Sequence, residues 1–260
     1  MPEGDTVFRI ARNLDEALRG REVARFELRV ASLALADLTG QRVDEVQCVG
    51  KHLLMRFGNG QSLHSHLRMD GGWRLTGPND RAAHHHGVRA LVGTADRLAI
   101  GMRVHDLALI ATRDEASVVG HLGPDLLDPD FDRDEGLRRL HQHPDRTIGE
   151  ALLDQRVIAG IGNVYKSELL FLHRLDPWLP VRSVPDPQAL LDDAVRLLKA
   201  NALRPSRSTT GWTRPGQQYY VYGRRGRPCP RCGTEVQQRE QGPDAGERVV
   251  YFCPSCQQPS

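Results

Sequence analysis

The spacing of apolar residues predicts a helix at the start of the chain. Val7, Ile10, Leu14 and Leu18 recur at helical spacing after Asp5, a candidate N-cap residue. These residues share one side of a helix whose other side is polar. The chain is therefore predicted to begin with a helix that buries one face.

Strict alternation of apolar and polar residues replaces the helical period from Ala24 onwards. Every second residue of 24–30 is apolar, and apolar runs at 43–57 and 61–67 flank the hairpin signal Gly58-Asn59-Gly60. The runs 87–92 and 98–104 favour further short strands. Residues 1–125 are therefore predicted to be β-rich.

An acidic stretch separates this half from a helical one. Residues 124–136 hold six acids and one arginine, which indicates a boundary. Helical spacing then recurs near 148–152, over 164–173 and over 189–203. We predict an N-terminal domain over 1–125, a linker over 126–140, a helical domain over 141–220 and a final module over 221–260.

The final module contains four of the five cysteines. Cys229-Pro-Arg-Cys232 and Cys253-Pro-Ser-Cys256 are two CxxC motifs separated by 20 residues. Two thiolate pairs at this spacing predict a closed structural site for one Zn²⁺ per chain. Disulfides and a redox-active CxxC are the alternatives. Cys48 is interpreted as a core residue.

The net charge of +2 conceals a segregation of charge along the chain. Residues 201–231 contain seven arginines and no acid, interleaved with Trp212, Tyr219, Tyr220 and Tyr222. Arginine pairs with phosphates and aromatic rings stack on bases, so this stretch favours a nucleic-acid partner. A solvated basic loop is the alternative.

Nothing in the sequence predicts a membrane protein. The apolar runs fall short of the roughly 18–20 residues that span a bilayer, and the start MPEGDTVFR carries acids where a signal peptide is basic and then apolar. We expect a cytoplasmic protein without a membrane partner.

The N-terminal amine is a candidate nucleophile. If Met1 is removed, the chain begins with the secondary amine of Pro2, followed by the carboxylate of Glu3. A terminal amine has a lower pKa than lysine, so more of it is unprotonated at neutral pH. Attack on a sugar C1′ would give an iminium, and Glu3 could move the protons. The alternative is a terminus without a chemical role.

Lys51 is a second candidate amine. With a two-residue loop in the predicted hairpin, paired residue numbers sum to 119, which sets Lys51 opposite Arg68 with His66 on the same face. The three side chains would form a cationic patch. A solvent-facing strand is the alternative, and the run His84–His86 is interpreted as an exposed loop.

A glycine turn links two of the predicted helices. Gly160 and Gly162 permit close backbone approach, and Asn163 begins the next helix. Amides at a helix start can bind a phosphate, and the Asn163 side chain would add a donor.

Together these motifs resemble the formamidopyrimidine-DNA glycosylase and endonuclease VIII family of bifunctional DNA repair glycosylases, over essentially the whole chain. The resemblance rests on MPEG, VGKHLLMRF, HLRMDG, LGPDLLDP, DQRVIAGIGNVYKSE, VYGRRGRPCPRCG and RVVYFCPSCQ, in this order. It is greatest to the endonuclease VIII branch.

The resemblance implies an α+β fold with an N-terminal β-sandwich and flanking helix. A C-terminal helical domain with a helix-two-turns-helix motif and a four-cysteine zinc-finger β-hairpin would complete it, with DNA held in the cleft between them. It implies a bacterial, nucleoid-associated monomer that binds damaged DNA and needs no small-molecule cofactor.

The resemblance also implies residue roles. Pro2 would form a Schiff base, Glu3 would act as general acid and base, Lys51 would donate a proton and contact a phosphate, and Arg248 would grip the lesion phosphate. DNA contacts would come from five further residues: His66, Arg68, Met69, Asn163 and Tyr222. Met69 would fill the gap left by the flipped nucleotide.

Four departures bear on the substrate. Thr6 replaces the family's usual glutamate, the stretch 103–115 lacks the arginine and phenylalanine of an intercalation loop, and His121 stands where the endonuclease VIII branch has an arginine. The stretch before the finger is shorter than the lesion-capping loop of the 8-oxoguanine branch. The second and fourth departures favour oxidised pyrimidines and abasic sites.

The function expected from the sequence is a DNA glycosylase and abasic-site lyase of base excision repair. It would excise oxidised pyrimidines and cut the strand by β,δ-elimination. One alternative keeps the fold but prefers 8-oxoguanine or formamidopyrimidine, and another is a DNA-damage binder without turnover.

Overall fold

The computed structural model describes residues 2–242 and 248–258, and its α+β fold divides into two compact units, Met1–His121 and Leu122–Ser260. Within the described residues the α-helices are α1 (Gly4–Leu18), α2 (Ala116–Val119), α3 (Arg133–His141), α4 (Ile148–Leu153), α5 (Asn163–Leu172) and α6 (Pro187–Ala202). The strands are β1 (Arg25–Leu28), β2 (Val43–Val49), β3 (His52–Phe57), β4 (Gln61–His66), β5 (Gly72–Thr76), β6 (Val88–Gly93), β7 (Leu98–Met102), β8 (Asp106–Ala111), β9 (Gln237–Gln241) and β10 (Arg248–Phe252).

The first unit is a β-sandwich of two antiparallel sheets. Their strand orders are β1-β6-β7-β5 and β2-β3-β4-β8. Residues from both sheets and from α1 share one buried core, in which Leu14, Met55 and Trp73 are members. The predicted sandwich with a flanking helix is confirmed, because the alternating strands bury one face against this core.

The predicted register of the β3–β4 hairpin is wrong by one residue. Phe57 pairs with Gln61 and His52 with His66, so paired numbers sum to 118. The loop has three residues, and Gly60 takes a φ of +77° while its N–H donates to the Phe57 carbonyl at 2.9 Å. A glycine in the left-handed region closes a three-residue hairpin loop. The loop therefore contains one residue more than predicted, and every pairing in the ladder shifts by one.

The long apolar run 43–57 is two strands and not one. Gly50, with a φ of +59°, turns the chain between β2 and β3. Lys51 therefore lies in this turn and is not paired with Arg68 in a ladder. The half-buried Cys48 packs against the sandwich core, as expected from the sequence.

The second unit is helical, and it includes the whole of the stretch 126–140 that was predicted to be a linker. Within 126–140, Asp132 accepts a hydrogen bond from the Glu135 N–H at 2.9 Å and caps α3. Leu140 is buried. The acids that suggested a linker are therefore partly the N-terminal signals of a helix, where negative charge is favourable. The finer division at 220/221 remains a prediction.

The second unit ends in a two-stranded hairpin. β9 and β10 pair antiparallel, with Arg248 opposite Gln241. Buried Gln241 ties this hairpin to the helices by donating to the Pro177 carbonyl at 2.7 Å, and Gln257 donates to the Leu175 carbonyl at 2.9 Å. Among the described residues, every helix is too short or too polar to cross a bilayer.

Candidate active site and nucleic-acid interface

Pro2 and Glu3 lie directly before the first helix of the sandwich. Glu3 is the N-cap residue of α1, is fully buried, and accepts backbone hydrogen bonds from Thr6 (2.9 Å) and Val7 (3.0 Å) through its carbonyl. The helix therefore holds the backbone of Glu3, and its dipole favours a carboxylate at this end. Pro2 therefore directly precedes a buried acid whose backbone is held by the helix. Met1 lies outside the described residues.

A second carboxylate stands at the same helix end. Asp5 is buried, and the hydroxyl of Thr6 donates to it at 3.3 Å. Thr6 occupies the position at which the resembled family carries glutamate, so an acid is present one residue earlier. The prediction of Asp5 as the N-cap residue is wrong, because Glu3 takes that position and Asp5 lies buried in the first turn of α1.

Lys51, His66 and Arg68 gather at one end of the β3–β4 hairpin despite the changed register. His66 ends β4, and its pKa is lowered to about 4 by burial, with the positive charges of Arg68 and Lys51 adding to the effect. Lys51 thus acts on His66 from the β2–β3 turn. The three predicted side chains are thus neighbours, but two chain turns and not strand pairing bring them together, and His66 is neutral among them.

Asp106 orients this patch. It pairs with His66 across β4 and β8, and its carboxylate accepts a hydrogen bond from the Arg68 guanidinium. The Arg68 N–H in turn donates to His66 Nδ1 at 3.3 Å, so the neutral His66 ring carries its proton on Nε2. Arg68 adopts a φ of +53°, a left-handed conformation that this set of contacts holds in place.

Met69 is presented at the tip of a tight turn. It is 59% exposed, and the Gly71 N–H closes the turn on the Leu67 carbonyl at 2.9 Å. A Cβ at Gly71 would lie 2.5 Å from that carbonyl, so only glycine permits the turn. The turn therefore holds an apolar side chain in solvent.

His64, His66 and His121 gather around His52, a grouping that the sequence did not predict. His52 Nδ1 lies 2.8 Å from His64 Nε2, and the His52 ring lies 4.8 Å from His66 and 6.1 Å from His121. Burial, with the charges of these neighbours, lowers the pKa of His52 to about 3. His52 and His66 are therefore neutral at physiological pH. The His-x-His spacing of 64 and 66 was the available signal.

The glycine turn of the second unit is held by one side chain. Gln155 accepts from the Gly160 N–H at 3.1 Å and donates to the carbonyls of Leu153 and Ile161, both at 2.9 Å. Gly160 takes a φ of +106°. The turn delivers Asn163 to the first position of α5 with a defined orientation.

Asn163 joins this turn to the finger hairpin. Its Nδ2 donates to the Val249 carbonyl at 2.6 Å, beside Arg248 at the start of β10. Its Oδ1 is buried without a hydrogen-bond partner in the described structure. The structure thus brings together Asn163 and the backbone next to Arg248, two positions that are 85 residues apart in the sequence.

Tyr222 is fixed by a buried carboxylate. Its N–H donates to Glu168 Oε1 at 2.9 Å, and its ring packs against Tyr251 of β10 at 5.1 Å between centroids. Glu168 is fully buried on α5. Sequence reasoning did not single out Glu168, because a lone acid in a helical run has no distinguishing pattern.

The four cysteines of the two CxxC motifs form one group. Their sulfur atoms all lie within 4.8 Å of one another, with Cys232 and Cys253 at 3.5 Å and Cys229 and Cys256 at 4.0 Å. A tetrahedral Zn²⁺ with Zn–S bonds of about 2.3 Å separates its sulfurs by roughly 3.8 Å. The donor set therefore fits a metal ion.

Comparison with known proteins extends over both units. Residues 1–104 match the formamidopyrimidine-DNA glycosylase N-terminal domain, and residues 122–212 match the formamidopyrimidine-DNA glycosylase H2TH domain. A probable endonuclease 8 2 of Streptomyces coelicolor is 51% identical, over 99% of this chain and 94% of its own. The DNA-(apurinic or apyrimidinic site) lyase Nei2 of Mycolicibacterium smegmatis is 46% identical over 99% of both chains.

The fold agrees with these matches. Formamidopyrimidine-DNA glycosylase of Lactococcus lactis, solved bound to DNA with an abasic site, superposes with a TM-score of 0.83 at 26% identity, over 99% of this chain and 100% of its own. The chain belongs to the formamidopyrimidine-DNA glycosylase and endonuclease VIII family. Within it, the higher identities place the chain with the endonuclease VIII type.

Proposed function

We propose that this protein is a bifunctional DNA glycosylase and abasic-site lyase of base excision repair. The observation that carries the proposal is Pro2 beside the buried carboxylate of Glu3 at the start of α1, in a chain that belongs to this family throughout. The chemistry requires removal of Met1, which leaves the secondary amine of Pro2 as the N-terminus.

The amine of Pro2 would attack C1′ of the damaged nucleoside as the N-glycosidic bond breaks. The base leaves with a proton, and the opened sugar forms an iminium with Pro2. The iminium draws electrons from C2′, so that loss of a C2′ proton expels the 3′ phosphate, and a second elimination expels the 5′ phosphate. Hydrolysis then frees Pro2. Glu3 would accept and return the protons in these steps.

The patch of Lys51, His66 and Arg68 would hold the phosphates beside the lesion. Lys51 supplies a charge and a proton donor, and the Nε2–H of neutral His66 supplies a further donor. Met69, exposed on its rigid turn, would fill the space left by the extruded nucleotide. These roles follow the family's pattern at matching positions.

In the second unit, Arg248 and Asn163 would bind the backbone of the damaged strand, and Tyr222 would contact it nearby. Asn163 supports this role because its bond to Val249 ties α5 to the strand that begins with Arg248. The four cysteines would hold one structural Zn²⁺, which keeps that strand in place. A closed four-thiolate site leaves the ion no position for substrate.

The protein is further proposed to act as a monomer at the bacterial nucleoid, with no small-molecule cofactor. The glycosylase and lyase steps above need only the chain's own groups and water. Damaged DNA is the partner in this proposal.

Oxidised pyrimidines are the proposed preferred bases. The stretch 103–115 lacks the arginine and phenylalanine of an intercalation loop. Its residues 106–111 form the regular strand β8 and not a loop. An 8-oxoguanine preference is the second candidate. Single-turnover kinetics on thymine-glycol and 8-oxoguanine duplexes, run in parallel, separate the two, and faster excision of 8-oxoguanine would overturn the pyrimidine assignment.

Borohydride trapping tests the chemistry. Wild-type protein should form a covalent adduct with abasic DNA, whereas Pro2→Gly should lose most of it and Glu3→Gln should slow it. Exposed Pro78→Gly and Glu16→Gln are matched controls in the same unit and should trap normally. Tight binding to an abasic-site analogue with no wild-type adduct would instead support the non-catalytic binder.

A further inference from the structure

Residues 208–222 form a loop with a buried base and an exposed tip. At its base, Ser208 and Thr209 are buried, and the Thr209 N–H donates to the Gln218 carbonyl at 2.9 Å. The seven residues 211–217 are all exposed. The two sides of the loop are therefore joined below a tip that faces water.

The buried carboxylate of Glu168 fastens this loop to α5. It accepts the hydroxyl hydrogen bond of Thr209 from one side of the loop. From the other side it accepts the N–H groups of Tyr220 and Val221, each at 2.8 Å, and of Tyr222 at 2.9 Å. A carboxylate with four donors on both sides of a loop acts as a clamp, and burial raises its pKa.

The tip carries an indole in solvent. Trp212 is 63% exposed, although its own backbone is held by hydrogen bonds with Ser208 (2.7 Å) and Thr210 (3.1 Å). Gly211 and Gly216 take φ values of +85° and +81° on either side. The loop conformation is thus set while the large aromatic side chain remains outside the core.

The charge around the tip indicates what would cover the indole. Arg214 is exposed two residues away, and 201–231 contains seven arginines and no acid. A protein partner would have to supply acids to balance this density of positive charge, and an anionic membrane would balance the charge but has no ring on which the indole can stack. A nucleic acid supplies both phosphates for the arginines and an aromatic face for the indole.

We propose that Trp212 stacks on an unpaired nucleobase of the damaged DNA, as a contact additional to the family's positions. The inference rests on the proposed function, since it presumes DNA as the partner. An indole needs an open base face, and bases within a duplex cover their faces by stacking on one another. The contact therefore contributes most on single-stranded or locally opened DNA. Because the Glu168 clamp already orders the loop, binding loses little conformational entropy.

The test compares dissociation constants by fluorescence anisotropy. The probes are a labelled single strand carrying a tetrahydrofuran abasic analogue and the matched duplex. Trp212→Ala should bind the single strand about 5- to 150-fold more weakly, as loss of one base–aromatic stack predicts, and the duplex less weakly. Trp212→Phe should retain most of the affinity. Leu203→Ala removes another exposed apolar side chain in this unit and should bind normally.

Salt dependence separates stacking from charge. Trp212→Ala should leave the slope of log affinity against log salt unchanged, whereas Arg214→Ala should reduce it by about 0.7 on single strands. The proposal is overturned if the dissociation constants of Trp212→Ala for both probes lie within twofold of wild type. That result would indicate that the indole contacts a protein partner and not DNA. Borohydride trapping of the wild type accompanies these binding measurements. Failure to trap an adduct contradicts the proposed function and not the stacking contact.

Discussion

Asn163 donates a 2.6 Å hydrogen bond to the carbonyl of Val249, which joins the first residue of α5 to the strand that Arg248 begins. The bond spans the helical part of the second unit and its terminal hairpin. It makes the position of Arg248 depend on a side chain that the family's pattern assigns to DNA binding.

Asn163→Asp should therefore weaken both the hairpin and DNA binding. An oxygen in place of Nδ2 removes the donor and faces the Val249 carbonyl with negative charge. We expect a loss of about 1–3 kcal/mol in the free energy of unfolding, measured with urea. Asn13→Asp, an exposed change on α1, is the matched control. Unfolding of both variants at the wild-type midpoint would show that the bond does not hold β10.

Removal of the metal should separate DNA binding from the stability of the sandwich. The purified protein should contain one zinc per chain by elemental analysis, and a chelator should abolish DNA binding before the sandwich unfolds. The reason is that structural zinc stabilises its local fold, and the four thiols lie in the second unit. The fluorescence of buried Trp73 reports on the sandwich when Trp178 and Trp212 of the second unit are replaced by phenylalanine.

Cys48→Ser is the control for the chelation experiment, because this thiol lies in β2 of the first unit. It should keep the full zinc content, whereas Cys253→Ser should lose it. Unchanged DNA affinity in metal-free protein would contradict the role assigned to the ion.

The histidine cluster should make the sandwich sensitive to acid. The pKa of His52 is lowered to about 3 and that of His66 to about 4, mainly by burial, from an unfolded value near 6.5. Below pH 6.5 the unfolded chain binds protons that the folded chain does not. Stability is thus complete above pH 6.5 and falls as the pH drops towards 4, by at most about 1.4 kcal/mol per pH unit for each histidine.

Thermal unfolding at pH 7.5 and pH 5 measures this effect. His52→Phe keeps an aromatic ring without the titrating nitrogen and should reduce the difference in Tm between the two pH values. The exposed His141→Gln should leave that difference as in wild type. An identical difference in Tm for all three proteins would refute the prediction.

Loss of the Glu168 clamp should loosen the loop 208–222 selectively. In Glu168→Gln one oxygen becomes an N–H₂ group, so at least one of the backbone N–H groups of Tyr220, Val221 and Tyr222 loses its acceptor. Amide hydrogen exchange at 220–222 should accelerate by roughly tenfold or more, as the loss of about 1–3 kcal/mol implies. Glu16→Gln, a change at an exposed position of α1, should exchange at 220–222 as wild type does.

Much of the fold was predictable because it rests on local periodicity. The helix at 6–19 is observed as Gly4–Leu18, and the run 189–203 as Pro187–Ala202, where Asp186 caps the start by accepting from the Ala189 N–H at 2.8 Å. Apolar spacing and caps act within a few residues, so they can be found without knowledge of distant contacts.

The failures have physical causes that are not local. Whether Gly58–Gly60 closes a two- or three-residue loop depends on the pairing of whole strands. Lys51 lies outside the ladder because Gly50 turns the chain directly before it. The capped helix α3 was hidden in an acidic stretch because acids mark both linkers and helix starts.

The sequence by itself determined the family, the leading helix and most of the strands and later helices, and the four cysteines that form one cluster, because these depend on residue type and spacing. Tertiary structure alone decided that His64, His66 and His121 gather around His52, that Glu168 clamps the loop carrying Trp212, and that Asn163 holds the backbone beside Arg248. Each of these contacts joins residues on separate elements, and their burial and distances follow only when those elements pack together.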